Sequence, residues 1–218
     1  MEISAWISNN ESLLNGIAAV IVIFGFLGAI GRTLFKGLRD ESRKVSYSNR
    51  ITLAELSSPS PYRIEFADSE GVNIAYSSFG DSGPPLIVTP GIISNLHVTS
   101  HLPPIRETMN SLSEFAKITN FDKRGQGLSD PTSQVATMEE RVKDISCIAD
   151  TTQTEKFFLM GISEGGPMSI KYVVDNPDRV AGLILFGTTA RFSRSDDYPL
   201  GISDNALDGM IQIGRAHV

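Results

Sequence analysis

The chain has 218 residues, 41% of them hydrophobic and 20% charged, enough for one globular domain with a real core plus an appendage. A net charge of −6 speaks against nucleic acid as a main partner, because a phosphate-binding surface needs clustered Lys and Arg. A single cysteine, Cys147, excludes an internal disulfide and fits a reducing compartment; no Cys/His cluster has metal-ligand spacing, and no cofactor is implied.

In chain order, residues 1–11 form a short N-terminal tail. Ser12 to Gly31 (SLLNGIAAVIVIFGFLGAIG) carries no charge. As a helix it covers about 30 Å, the thickness of a bilayer core. Gly16, Gly25, Gly28 and Gly31 weaken a helix in water but are common in membrane helices. A buried core helix is the alternative, although such helices usually keep a polar stripe. The sequence predicts a single transmembrane helix over 12–35. Arg32, Lys36, Arg39, Arg43 and Lys44 follow the run while Glu2 and Glu11 precede it, the reverse of a signal peptide. The same asymmetry puts the rest of the chain on the cytoplasmic side. Residues 36–61 read as a polar, then Ser/Pro-rich juxtamembrane linker.

From residue 62 strands and helices alternate. YRIEFA and VNIAYSSFG flank a turn signal at Asp68-Ser69-Glu70-Gly71 and predict a hairpin. PLIVTPG (85–91) reads as a buried strand, 103–115 as a helix, and AKITNFDKRG (116–125) as a strand entering a glycine-rich loop. Thr137 and Glu140 have capping-box spacing and open a helix to about Asp150. KFFLMGI (156–162) is the next strand, Glu164 to Val174 the next helix, stopped by Asn176-Pro177, and VAGLILFGT (180–188) a further strand. This alternation predicts an α/β domain over 62–212, a mostly parallel sheet of about six strands with helices on both faces.

Gly161-Ile162-Ser163-Glu164-Gly165 fits G-x-S-x-G, a weak signal alone. Its setting strengthens it, because an apolar strand ends directly before it and a helix opens directly after, as a nucleophile elbow requires. Gly161 and Gly165 keep side chains clear of a strained serine, and the helix N-terminus adds partial positive charge beside it. A plain glycine-rich turn is the simpler alternative. A nucleotide loop lacks both its G-x-G-x-x-G spacing and its Walker lysine.

Two further stretches carry a family resemblance. Thr89-Pro90-Gly91-Ile92 stands where α/β-hydrolases commonly have His-Gly, and Phe121-Asp122-Lys123-Arg124-Gly125-Gln126-Gly127-Leu128-Ser129-Asp130 resembles their D-x-R-G-x-G-x-S-D loop. With the elbow they occur in the family's order from Tyr62 to Thr189, so the chain is identified as a member of the α/β-hydrolase superfamily. The elbow variant Gly-Ile-Ser-Glu-Gly-Gly-Pro further resembles hydrolase domains fused to class III adenylate or guanylate cyclases. The resemblance implies Ser163 as nucleophile and the backbone N–H groups of Ile92 and Glu164 as the oxyanion hole. It assigns Asp122, Arg124, Gly125, Gly127 and Asp130 to a structural loop.

The family's chain order is Ser, then acid, then His. His97 and His101 precede Ser163 and read as pocket or surface residues. Asp196 and Asp197 lie where a lid begins. His217 lies in IGRAHV (213–218), which equals a translated sequencing-library adapter and is expected to be an artefact. The expectation is therefore an N-terminal fragment that lacks the acid and the histidine and is inactive by itself, while its parent is a membrane-anchored serine hydrolase of an ester or other acyl compound. A non-hydrolytic member of the superfamily is an adjacent reading. The alternative is a sensor domain that binds a small acyl or hydrophobic ligand and signals through a downstream module.

Overall fold

The computed structural model describes residues 53–215. The predicted tail, the span over 12–35, and the linker up to residue 52 lie outside them. Among the described residues no helix is long and apolar enough to cross a membrane.

The elements in chain order are α1 (Leu53–Leu56), β1 (Glu65–Ser69), β2 (Val72–Phe79), β3 (Pro85–Thr89), α2 (Leu96–His101), α3 (Pro103–Ser113), β4 (Lys117–Phe121), α4 (Met138–Thr151), β5 (Phe157–Ile162), α5 (Gly165–Asp175), β6 (Val180–Phe186) and α6 (Asp204–Arg215). The strands form one six-stranded sheet in the order β1-β2-β4-β3-β5-β6. β2 runs antiparallel to both β1 and β4, and the pairings β4-β3, β3-β5 and β5-β6 are parallel. The predicted α/β sheet and its strand count agree with this architecture.

Local chemistry accounts for the element ends. The β1-β2 hairpin pairs Ser69 with Val72 across a two-residue loop. Both loop residues have positive φ, 56° at Glu70 and 85° at Gly71, the backbone that matches strand twist in a tight hairpin. α4 carries the predicted capping box: Thr137 Oγ1 accepts from the Glu140 N–H at 3.2 Å, and the Thr137 N–H donates to Glu140 Oε2 at 2.7 Å. α5 ends at Asp175, where Asn176 donates its N–H to Tyr172 O at 2.8 Å and Pro177 follows.

Two apolar clusters cover the sheet. One packs Ile145 and Ile148 of α4 and Met168 and Tyr172 of α5 against Ile87, Phe121, Phe157 and Leu159. The other packs Leu112 of α3 against Leu86, Val88, Ile118, Phe158 and Met160. Successive β5 side chains therefore serve opposite faces, which is why that strand reads as an unbroken apolar run.

Three elements were not expected from sequence. α1 is a single helical turn inside the stretch read as linker. α2 has β-branched and polar residues and little propensity; its start is fixed by Asn95, whose side chain accepts from the Val98 N–H at 3.0 Å. α6 follows the Asp196-Asp197 segment, expected to begin a lid, and runs into the stretch from residue 213 read as an artefact.

Candidate functional site

Ser163 sits in the two-residue turn between β5 and α5. Its φ is +50°, in the left-handed region that a non-glycine residue enters only when its surroundings hold it there. Those surroundings are specific. The Ser163 N–H donates to Phe186 O at 3.0 Å, the Gly166 N–H donates to Ser163 O at 3.1 Å, and the Thr188 hydroxyl donates to the same carbonyl. The turn is thus tied to the end of β6.

Glycine is required beside it by close approach. A Cβ on Gly165 would lie 2.5 Å from both Thr89 O and Pro90 O, and one on Gly161 would lie 2.9 Å from Gly166 Cα. A Cβ on Gly166 would overlap the Thr188 side chain. Thr89, fully buried at the end of β3, places its hydroxyl 3.0 Å from Met160 O and 3.2 Å from Gly165 O and pairs with the Ser169 hydroxyl. This joins the start of α5 to the sheet.

The loop after β3 reaches the serine. A Cβ on Gly91 would stand 3.3 Å from Ser163 Cβ, so Gly91 lies against the turn. Ile92 and Ile93 beyond it are 67% and 83% exposed. Among the described residues neither the Ile92 N–H nor the Glu164 N–H donates to a backbone carbonyl outside the helices and strands. Beneath the loop is a cavity of about 180 Å³ whose lining includes Pro90, Ile93, Leu96, Ile105, Met109 and Ile162.

The loop Asp122–Asp130 is held by polar contacts. Asp122 is fully buried and accepts from the Leu96 N–H at 3.0 Å and the Leu128 N–H at 2.9 Å. Burial pushes its carboxyl above the ordinary range, and these donors pull it back. Arg124 pairs with Asp144. Asp130 Oδ2 accepts from both the backbone and the side-chain amide of Asn73, at 2.9 and 2.8 Å. Gly125 and Gly127 have φ of 76° and 56°. At Gly127 a side chain would also collide with the Asp122 carboxylate.

Sequence reasoning missed Lys123, Gln126, Arg141 and Asp144. The Lys123 side chain is only 3% exposed, and its ammonium pairs with the Glu164 carboxylate, which also takes Arg141 from α4. Burial lowers the Lys123 pKa and Glu164 raises it in opposition. Lys123 Nζ also lies 3.4 Å from Ile92 O. Lys123 thus touches both Ile92 and Glu164. The only available signal was the position of Lys123 between Asp122 and Arg124. Nothing in the sequence pairs it with a residue 41 positions on.

His97 and His101 are engaged elsewhere. His97 Nε2 donates to Leu56 O at 2.7 Å, and His101 pairs through Nδ1 with His97 O at 2.7 Å and through Nε2 with Ser58 Oγ at 3.0 Å. Asp197 interacts with Ser195 and Arg191 on the surface. Among the described residues no histidine or carboxylate is bonded to Ser163.

A family model described as serine aminopeptidase, S33, matches residues 113–202. The palmitoyl-protein thioesterase ABHD10, mitochondrial, of Homo sapiens is 31% identical over 118 residues, 54% of this chain and 38% of that protein. The AB hydrolase superfamily protein YisY of Bacillus subtilis is 31% identical over 102 residues, 46% of this chain and 38% of that protein. The chain thus spans well under half the length of these curated relatives. Among solved structures, an esterase from Exiguobacterium antarcticum superposes with a TM-score of 0.60 at 25% identity, covering 69% of this chain and 55% of that one.

Proposed function

This chain belongs to the α/β-hydrolase superfamily, and from that premise we propose that it carries the nucleophile of a serine hydrolase acting on an ester, thioester or other acyl substrate. The observation that carries this reading is Ser163 held at φ +50° between β5 and α5 with Gly91 against it. A left-handed serine costs roughly 1–3 kcal/mol, and such strain clusters at working sites.

In this mechanism Ser163 Oγ attacks the acyl carbon, and the Ile92 and Glu164 N–H groups take the oxyanion. The leaving alcohol or thiol departs, and water resolves the acyl-enzyme. The cavity under the loop takes the substrate's apolar part. The attack needs a general base, a role that no described side chain fills at Ser163. Esterase and thioesterase names occur among the similar proteins beside the serine aminopeptidase name of the family model, so the reading covers oxygen, sulfur and nitrogen acyl links. Turnover of p-nitrophenyl butyrate and of butyryl thioester by the full-length protein tests the reading. Ser163→Ala is expected to abolish both; equal rates refute it.

We also propose single-pass attachment through residues 12–35 with the hydrolase domain on the cytoplasmic side, on the strength of the uncharged run and the basic residues after it. The full-length protein should then stay in carbonate-washed membranes, and its release into the supernatant counts against attachment.

A further inference from the structure

We infer that Gln126, with Lys123, is a positioning residue that sets the aim of the Ile92 N–H by clamping the loop after β3; this rests on the Ser163 reading. The loop needs such a device. Ile92 and Ile93 point largely into solvent, so apolar packing does little to hold them. Gly91, just before them, leaves the preceding peptide free to turn.

One side-chain amide spans the loop from both ends. Gln126 Nε2 donates to Ile92 O at 3.0 Å. Gln126 Oε1 accepts from the Ser94 N–H at 3.0 Å and from the Ser94 hydroxyl at 3.1 Å. The amide orientation is dictated by its partners, since a carbonyl only accepts and a backbone N–H only donates. Ser94 Oγ in turn accepts from the Lys123 N–H at 3.0 Å. Every hydrogen bond in the clamp therefore runs from a donor to an acceptor.

Lys123 adds a second donor to Ile92 O at 3.4 Å and holds the Glu164 carboxylate with the same ammonium. The two candidate oxyanion donors belong to loops far apart in sequence; Lys123 connects those loops, and Gln126 ties the first of them to the loop after β4. Fixing the Ile92 carbonyl fixes the peptide after Ile92 and limits rotation about its Cα. The transition state requires a donor at a fixed place, whereas ground-state binding requires much less. The effect should therefore fall on kcat.

The test compares wild type, Gln126→Met and Gln126→Glu in the full-length protein. Met keeps the volume and removes the amide. Glu keeps an acceptor for Ser94 but sets an oxygen against Ile92 O. Both variants should lose about tenfold or more in kcat on p-nitrophenyl butyrate, with KM within about twofold, since removing an oxyanion donor outright costs on the order of a hundredfold or more. Amide hydrogen exchange in the 91–95 peptide should rise at least severalfold in both. Unchanged exchange refutes the clamp whatever happens to turnover, and raised exchange with unchanged kcat refutes the positioning role. Failure of the parent reading shows separately, as turnover that survives Ser163→Ala; exchange in that background still decides whether the clamp holds the loop.

Discussion

Arg124 closes a two-point fork on Asp144: Nε donates to Oδ2 at 2.9 Å and Nη2 to Oδ1 at 2.6 Å. Both side chains are buried, 5% and 1% exposed. Nη2 also donates to Ser69 Oγ at 3.2 Å, so one guanidinium fastens the glycine-rich loop to α4 and to the end of β1. Removing Asp144 leaves the buried guanidinium with only the half-exposed Glu140 carboxylate, 3.6 Å from Nη1, so the loss should approach the roughly 3–5 kcal/mol of a broken buried pair. Asp144→Ala should lower unfolding free energy by that amount in urea titrations. Arg124→Lys should recover little, because an ammonium cannot reproduce the fork. A loss under about 1 kcal/mol for Asp144→Ala contradicts the brace.

Gly166 and Thr188 compete for one volume. A helical Gly→Ala change ordinarily stabilises by up to about 1 kcal/mol. Here the sign should reverse, because the new methyl meets Thr188 where its hydroxyl holds Ser163 O. Gly166→Ala should destabilise by about 1–3 kcal/mol. Adding Thr188→Gly should recover part of that, and a double-mutant cycle with no coupling beyond about 0.5 kcal/mol defeats the prediction.

Asp122 gives a pH signature. Burial raises its folded-state pKa above the ordinary 3.8. Its contribution to stability is then complete below that value and shrinks as pH rises through the folded pKa. An amide in its place, as in Asp122→Asn, stays neutral throughout and has no such dependence. The destabilisation caused by Asp122→Asn should therefore be greatest in acid and diminish towards neutral pH. Unfolding titrations of both proteins from acid to neutral pH measure it, and a penalty that grows with pH has the wrong sign.

Thr137 should act locally. Its hydroxyl closes the capping box with Glu140 at an exposed helix start. Thr137→Ala should cost about 0.5–2 kcal/mol of stability and leave hydrolysis of p-nitrophenyl butyrate unchanged. A stability change near zero in thermal melts rules out the cap as a contributor.

Much of the fold was legible because its signals are local. The Thr137–Glu140 spacing, the Asn176-Pro177 stop and the turn at Glu70-Gly71 act within a few residues, and each sets an element end in the folded domain. α2 was not legible because its sequence has no helical preference. It forms where Asn95 caps it and where Leu96 is buried, its N–H given to Asp122. The site divides in the same way. Ser163 and its glycines declare themselves by spacing, while Lys123, Gln126 and Arg141 gain their roles only from what they meet.

The sequence by itself determined the alternation of strands and helices, the turn that carries Ser163, and the glycines at that turn. These follow from apolar periodicity and from backbone sterics, which act between near neighbours. The tertiary structure alone decided what holds the turn and the loop beside it: Phe186 and Thr188 on Ser163, and Lys123 and Gln126 on Ile92. Those contacts form only once β4, β3, β5 and β6 lie side by side. Hydrogen bonds and ion pairs reach a few ångströms in space however many residues separate the partners along the chain.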